Sequence, residues 1–323
     1  MIPAREEGER IAATIRALVS QAPDLRVVVV DDESDDDTAG RARAAAPGHV
    51  RVIEGQPLPT GWTGKLWALE QGLEQIDSER VLLVDADIEL QPGMVAALSA
   101  HQRGGAYALV SVMARLRMQG GWERLLMPPF IWFFKLLYPF ALANSPSPRW
   151  SAAAGGCILV QRDWLRAIGG FAALRGAVID DCSLAAALKG RGARTWIGLT
   201  RGAVSKRRYP RLGEIDAMVA RTAFAQLRYS FALLGVCTAL MAITFWGPVA
   251  ALFGSAAGLA SGTAALALMI ATYTPLLRYY GLSPAWAPTL PLAATLYLGM
   301  TWGSALRYAR GLRAQWRGRE YPT

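Results

Sequence analysis

The feature that most constrains this chain is a block, residues 231–306, that contains a single charged side chain, Arg278. Soluble domains carry about 25% charged residues, whereas this chain has 18%, and the block explains the difference. It divides into apolar stretches at 231–253, 259–280 and 286–306. Each is long enough to cross a bilayer, which takes about 20 residues. An ordinary soluble globule and a disordered chain are therefore both excluded.

The net charge is +9, and basic residues flank that block on both sides, in 201–230 and in 307–323. Such flanking clusters are typical of the cytoplasmic face of a membrane and of contacts with anionic headgroups. We therefore expect a membrane partner and no nucleic acid. Three crossings would place the two clusters on opposite faces, against the positive-inside rule. One stretch is then expected to be re-entrant, and the second, with Pro275 and Arg278, is the weakest span.

Upstream of the block, short apolar runs alternate with segments of helical periodicity. The runs that predict strands are 26–30, 50–53, 80–84 and 107–112, and the segments that predict helices are 8–20, 65–76 and 182–189. Such alternation predicts an α/β domain. Polar residues follow the carboxyl ends of the strands, which is where open parallel sheets bind ligands.

The aromatic segment 125–143 contains three prolines and Lys135, which argue against a simple membrane span. An interfacial or re-entrant segment fits this composition. A run this short fits a buried core helix equally well.

Carboxylates are the main candidates for chemistry, because the three cysteines and two histidines have no metal-type or disulfide spacing. Asp85 and Asp87 follow the run 80–84 directly. Two carboxylates at this spacing can hold one Mg²⁺ or Mn²⁺ and leave positions for phosphate oxygens. The alternative is an ordinary acidic pair in a surface loop.

Asp31 and Asp32 end the run 26–30 in the same way. Asp32 can accept a hydrogen bond from a nucleobase imide or a ribose hydroxyl. The alternative is that Ser34 or Asp37 of this loop caps the helix that follows. Both roles can hold at once.

Three further motifs carry polar residues at helix starts or beside the apolar block. Lys65 begins a helix after a glycine-rich turn and suits a diphosphate, or is a solvated lysine. Asp181, next to Asp180, is a candidate general base, or only stabilises the dipole of its helix. Arg228 suits a leaving diphosphate, or is a basic membrane anchor.

Taken in chain order, these motifs resemble those of family 2 glycosyltransferases of the GT-A fold. The resemblance covers about residues 2–230. It rests on the segments 2–7, 31–38, 85–87, 155–156 with 169–171, and 180–181. Finer details at 61–67, 226–230, 277–283 and 316–321 are similar to the hopene-associated membrane glycosyltransferases.

The resemblance implies a GT-A (nucleotide-diphospho-sugar transferase) Rossmann-like domain followed by C-terminal transmembrane helices. The enzyme would be metal-dependent and would invert the anomeric centre. Its donor would be a nucleotide sugar, with a UDP-sugar expected, and its acceptor a membrane lipid hydroxyl of hopanoid type. The implied residues are Pro3, Ala4, Glu7 and Asp32 at the nucleoside, Lys65 and Arg228 at the diphosphate, Asp85 and Asp87 at Mg²⁺ or Mn²⁺, and Asp181, beside Asp180, as the base.

The expected organisation has four parts. These are a catalytic domain over 1–200, a basic membrane junction over 201–230, two or three transmembrane or re-entrant helices over 231–306 and a basic cytoplasmic tail over 307–323. We expect a multi-pass protein of a bacterial-type inner (cytoplasmic) membrane, with its catalytic domain in the cytoplasm.

The chain departs from the family pattern at three places. Glu6 replaces the usual asparagine, Tyr229 replaces the usual tryptophan, and almost nothing of a first strand precedes Pro3, which favours a start upstream or a fragment. Two alternatives stay open. A membrane-bound nucleotidyltransferase of similar fold would leave Asp181 without a clear task. A degenerate, non-catalytic scaffold would not need the acidic pairs.

Overall fold

The computed structural model describes residues 1–312, 315, 316 and 318–320, which form two compact units. The first unit contains 1–116, 138–207 and, of the described C-terminal residues, 315, 316 and 318–320. The second contains 117–137 and, of the described residues, 208–312. The expected boundaries at 200, 230 and 306 stay predictions.

The elements are numbered in chain order. The described strands are β1 Ile2–Ala4, β2 Val27–Asp31, β3 Val50–Glu54, β4 Arg80–Val84, β5 Ile88–Leu90, β6 Leu109–Arg115, β7 Cys157–Gln161, β8 Thr195–Ser205, β9 Gln315–Trp316 and β10 Arg319–Glu320. The described α-helices are α1 Ile11–Val19, α2 Thr38–Ala45, α3 Gly64–Leu73, α4 Met94–Gly104, α5 Gly121–Leu137, α6 Phe140–Ala143, α7 Arg162–Ile168, α8 Asp180–Gly190, α9 Leu212–Gln226, α10 Phe231–Met241, α11 Gly247–Ala251, α12 Ala256–Tyr279 and α13 Leu290–Ala309.

The sheets of the first unit bring three strand ends together. β1, β2 and β3 form a parallel sheet in that order. β1 also lies against β4, where Val84 N donates to Met1 O at 3.1 Å. β4 begins a second sheet of order β4-β7-β6-β8-β5, in which only β6 and β8 run parallel. The carboxyl ends of β1, β2 and β4 are therefore neighbours.

Apolar periodicity explains these elements. The four valines of β2 are all buried, as expected of a strand covered on both faces. Ile11 and Ile15 of α1 lie in the same apolar cluster as Val29 of β2, each with no exposed surface. Burying one such side chain contributes about 1.5–3 kcal/mol. The four predicted strands and the predicted helices are confirmed to within a few residues, whereas β7 and β8 were not predicted.

Two helical segments among the described residues are long and apolar enough to cross a membrane, Phe231–Ala251 and Ala256–Tyr279. Only 11% of the apolar window of each is buried. The second, which the sequence made the weakest candidate, is one continuous helix of 24 residues that includes Pro275. α13 makes polar contacts within the second unit: Tyr297 donates to Leu126 O at 2.6 Å, and Ser304 Oγ donates to Ala220 O at 2.6 Å.

Candidate active site

Lys65 stands among carboxylates from two other segments of the chain. Its Nζ lies 3.0 Å from Asp85 Oδ1, after β4, and 3.2 Å from Asp180 Oδ2, at the start of α8. Burial opposes the charge of Lys65, but Asp180, Asp85 and Asp181 outweigh it and raise the pKa of the ammonium. The lysine therefore stays charged. It holds the two predicted acidic motifs in one pocket, which Pro3 also lines.

Asp181 has the properties of a general base. Burial and the charge of Asp180 raise its pKa to about 7, against the opposing effect of Lys65. Cys182 N donates to Asp181 Oδ1 at 2.8 Å and orients the carboxylate. A carboxylate of this pKa is partly ionised at neutral pH and can accept a proton from a hydroxyl held close to it.

The lack of a side chain at Gly155 leaves space in this pocket. A Cβ at this position would lie 3.1 Å from Lys65 Nζ and 3.3 Å from Asp181 Oδ2. Both distances are tighter than ordinary carbon contacts, so any side chain here would displace the lysine or the base. Gly155, the first residue of the family motif 155–156, therefore lies against the predicted catalytic groups.

Asp87 is held by residues that the sequence did not single out. Ser205 Oγ, at the end of β8, donates to Asp87 Oδ2 at 2.6 Å. Arg207 Nη2 lies 3.5 Å from Asp87 Oδ1 and donates to Glu7 Oε1 at 2.5 Å. The sequence pattern puts Arg207 in the basic membrane junction, whereas the structure puts it against two acidic side chains of the first unit. No local signal could have found this contact, because Glu7 is 200 residues away.

Asp85 and Asp87 fit a divalent cation that arrives together with phosphate. Mg²⁺ and Mn²⁺ prefer oxygen ligands, and Mg²⁺ is usually bound by one or two carboxylates plus substrate phosphate oxygens. Within the described ranges, no group of three or more His, Cys, Asp or Glu is placed to hold a metal. Burial raises the pKa of Asp85, and Lys65 opposes the rise. A nearby cation would favour the ionised form further, so the pair suits a metal that is shared with a ligand.

The residues predicted at the nucleoside, Pro3, Ala4, Glu7 and Asp32, are buried at or just after the ends of β1 and β2. Asp32 N donates to Ala4 O at 2.8 Å, which ties the two strand ends together. Asp32 has no exposed surface, and Arg319 Nε lies 2.8 Å from its Oδ2. The structure brings these residues together with the end of β4.

The helix-capping alternative does not hold for Ser34 or Asp37. Ser34 Oγ donates to Asp31 Oδ1 at 2.6 Å, and Asp37 precedes α2 without a capping hydrogen bond. Asp36 takes the role instead, since its Oδ1 accepts from Thr38 N at 3.0 Å. The loop therefore supports the first turn of α2 through a residue that was not predicted.

Glu6 and Glu33, on either side of this loop, both have left-handed backbones with φ of 52°. Asparagine tolerates this conformation better than most residues, which explains the asparagine that the family has at the position of Glu6. Here Glu6 N donates to Ser34 Oγ at 3.1 Å, and Asp35 N donates to Glu6 Oε1 at 2.7 Å. These bonds hold the strained turn beside Asp32.

Arg228 lies in the second unit, in the turn after α9. Arg228 and Tyr229 are also left-handed, with φ of 52° and 55°. Tyr229 stacks on Tyr308 with the ring centroids 4.6 Å apart. The predicted contact of Arg228 with a diphosphate stays a prediction.

The first unit is a Rossmann-like α/β domain with a cluster of charged side chains at the carboxyl ends of its strands, a class of fold that binds nucleotides there. Residues 1–169 match the sequence model described as Glycosyl transferase family 2. This match takes in more than half of the 323 residues, and the chain belongs to that family. It includes Asp32, Lys65, Asp85 and Asp87, and ends before Asp180.

Curated relatives and solved structures agree with this assignment. Over 114 residues the chain is 32% identical to the 4,4'-diaponeurosporenoate glycosyltransferase of Staphylococcus aureus strain MRSA252. It is 31% identical to the same protein of strain USA300. Each match covers 35% of this chain and 30% of the relative, so the matched segment spans less than a third of those proteins.

A solved mannosyltransferase of Pyrobaculum calidifontis, in complex with GDP-Man and Mn²⁺, has the same fold. It superposes with a TM-score of 0.56 at 21% identity, and the superposition covers 94% of this chain and 85% of that chain. The predicted GT-A fold is thereby confirmed.

Proposed function

We propose that the protein is an inverting, metal-dependent glycosyltransferase that moves a sugar from a nucleotide sugar to the hydroxyl of a membrane lipid. The observation that carries this proposal is the position of Lys65 between Asp85 and Asp180, with Asp181 alongside. One pocket then contains a cation suited to a diphosphate, a carboxylate suited to a metal ion and a base suited to a hydroxyl.

The donor half of the site has a place for each part of a nucleotide sugar, with a UDP-sugar as the expected donor. Asp32 would accept hydrogen bonds from the nucleoside beside Pro3 and Ala4. Lys65 would exchange its carboxylate partners for the diphosphate. Mg²⁺ or Mn²⁺ on Asp85 and Asp87 would offset the charge that develops on the leaving diphosphate. Ser205 and Arg207 would orient Asp87, and Arg207 links it to Glu7.

The acceptor half supports a single displacement. Asp181 takes the proton of the acceptor hydroxyl while that oxygen attacks the anomeric carbon from the face opposite the diphosphate. The bond from this carbon to the diphosphate breaks, and the nucleoside diphosphate leaves with the electron pair, so the anomeric centre inverts. A positioned base contributes about 10²–10⁴ in rate. Asp180 supports this step because its charge keeps the pKa of Asp181 high.

A lipid acceptor is supported by the surface of the second unit. Ile243 and Leu268 are each 69% exposed on the two helical segments long enough to span a membrane, and Phe253, between these segments, is 86% exposed. Contiguous exposed apolar surface is typical of membrane contact. The S. aureus relatives are named as glycosyltransferases of 4,4'-diaponeurosporenoate. The hopanoid-type acceptor rests on the resemblance of the finer motifs.

The position of the C-terminal strands supports the membrane topology that we propose. The C-terminal strands β9 and β10 belong to the first unit, so these strands lie on the same face of the membrane as the rest of that unit. An even number of crossings must then lie between them. The two candidate spans satisfy this requirement, and both basic clusters can face the cytoplasm.

Cysteine labelling tests the topology. Phe253→Cys lies between the two spans and Leu312→Cys follows α13, and both positions are exposed. In intact cells, a membrane-impermeant maleimide should label the cysteine at 253 and should reach the one at 312 only after permeabilisation. Labelling of position 312 from outside would show an odd number of crossings and contradict the topology.

Donor turnover tests the activity. Full-length protein in detergent is incubated with Mg²⁺ or Mn²⁺, a panel of nucleotide sugars and hopanoid polyol lipids, and products are followed as nucleoside diphosphate and glycolipid mass. We expect both products from the parent and neither from Asp85→Ala or Asp181→Asn. Asp24→Asn, which changes an exposed carboxylate, is the matched control and should keep full activity. In a parallel reaction with nucleoside triphosphates and sugar phosphates, release of pyrophosphate would indicate a nucleotidyltransferase. No turnover of any donor by folded protein would indicate a scaffold.

A further inference from the structure

The C-terminal strands place one arginine of the basic tail on a buried carboxylate. β9 and β10 pair antiparallel, with Arg319 opposite Trp316, and Gly318 provides the left-handed turn at φ of 82°. Arg319 Nε lies 2.8 Å from Asp32 Oδ2, and its Nη2 donates to Asp32 Oδ1 at 3.1 Å. The same nitrogen donates to Glu33 Oε2. One edge of the guanidinium therefore meets both oxygens of Asp32.

This ion pair differs from an ordinary surface pair in its burial. The side chain of Asp32 has no exposed surface and that of Arg319 is 15% exposed. Exposed pairs contribute little, whereas a buried carboxylate is strongly destabilised when its partner is removed. Nη2 makes the hydrogen bond to Asp32, and Nε adds a close ionic approach, so the planar guanidinium restrains the carboxylate more than the point charge of a lysine would.

The charge of Asp32 decides what it can bind. An ionised carboxylate only accepts hydrogen bonds, whereas a protonated one also donates. Burial raises the pKa of Asp32, Arg319 and Arg5 oppose the rise, and Glu33 adds to it. Arg5 also donates to the backbone oxygens of Asp32 and Glu33. Among these charged groups, Arg319 is the one that donates a hydrogen bond to the side chain of Asp32.

We propose that Arg319 is a positioning residue of the donor site, which holds Asp32 as an oriented anion and thereby selects nucleobases that offer it a ring N–H. The inference rests on the proposed function, because it takes Asp32 as the nucleoside contact. Uracil and guanine carry a ring N–H where cytosine carries an acceptor. Arg319 should therefore favour UDP and GDP over CDP, and the strands β9 and β10 contribute to the donor site.

Nucleotide binding to full-length protein in detergent tests this role. Dissociation constants for UDP, GDP and CDP are measured by calorimetry with Mg²⁺ present, from pH 5.5 to 8.5, for the parent, Arg319→Ala, Arg319→Lys and Asp32→Asn. Arg310→Ala removes an exposed arginine of the same tail and is the matched control. Activity with saturating donor is measured alongside, to separate KM from kcat.

We expect Arg319→Ala to weaken binding of the preferred nucleotide about tenfold or more at pH 6.5. The loss should shrink as pH rises, because Asp32 then ionises without its partner. KM for the donor should rise with little change in kcat. Arg319→Lys should recover part of the affinity and flatten the pH profile, since it restores the charge. Arg310→Ala should match the parent, and Arg319→Ala should have no further effect in the Asp32→Asn background.

Three results would overturn the inference. Unchanged affinity and pH profile in Arg319→Ala would show that the pair is only structural. Tighter binding would show that Arg319 competes with the nucleotide for Asp32. Effects of Arg319→Ala that persist in the Asp32→Asn background would show that it does not act through Asp32. If the parent itself binds no nucleoside diphosphate, the proposed function fails and this inference fails with it.

Discussion

Lys189 should be a sensitive position for the stability of the first unit. Its ammonium is buried near the end of α8 and donates to four backbone oxygens, Ala143 O at 2.6 Å, Ser145 O at 2.8 Å, Ser147 O at 3.3 Å and Trp150 O at 2.6 Å. None of these partners carries a charge, and burial lowers the pKa of Lys189. This one side chain therefore holds together the segment 143–150, which leads towards Gly155.

The expected loss follows from this geometry. An ammonium has three N–H donors, and a hydrogen bond from a charged group contributes about 1.5–3 kcal/mol, so the set contributes roughly 5–9 kcal/mol. Dehydration of the buried ammonium offsets several kcal/mol of this. Lys189→Met keeps the side-chain length and leaves the carbonyl oxygens without donors. We expect it to lower the free energy of unfolding by about 3–5 kcal/mol.

Thermal unfolding of full-length protein in detergent measures this effect. For a unit of about 200 residues, 1 kcal/mol shifts Tm by about 2–4 °C, so Tm should fall by roughly 10 °C. Lys206→Met is the control, because its ammonium pairs with Glu89 at 2.7 Å and is 47% exposed. An exposed pair contributes about 0–1 kcal/mol, so the control should shift Tm by at most about 4 °C. If the Tm of Lys189→Met equalled that of Lys206→Met, the ammonium would not hold the loop.

Three further predictions concern the pocket. The kcat of the parent should rise as pH increases through about 7, because Asp181 must lose its proton to act as base; a flat profile from pH 5.5 to 8.5 would exclude this assignment. Ser205→Ala should weaken activation by Mn²⁺ about tenfold or more in a metal titration, since Asp87 loses the hydrogen bond that orients it; unchanged activation would remove Ser205 from the site. Gly155→Ala should lower kcat at least about tenfold with a small change in Tm, because its Cβ crowds Lys65 and Asp181; Gly213→Ala, where a Cβ meets nothing within 4 Å, is the control.

Local sequence patterns predicted four of the strands and the helices between them. The apolar runs of β2 and β4 each end in aspartates, and this pattern predicted polar residues at the carboxyl ends of the strands, where open sheets bind ligands. β8 was missed because Gly198, Arg201 and Gly202 interrupt it, and glycine within a strand weakens the pattern. β7 was missed because its apolar residues were interpreted only as a family motif. Both strands belong to the largely antiparallel sheet, whose pairings connect distant parts of the chain.

The roles of individual basic residues could not be predicted from the sequence. The composition of a segment does not show which distant residues its side chains contact in the fold. Arg207 and Arg319 lie in the two clusters that the sequence pattern assigns to the membrane surface. In the structure they contact Glu7, Asp87 and Asp32, at sequence separations of up to 287 residues. A buried carboxylate needs a cation nearby, since leaving it unpaired is strongly destabilising. Part of the net charge of +9 therefore neutralises the acidic site itself, and arginines that stay exposed, such as Arg310, are left for the predicted contact with a membrane.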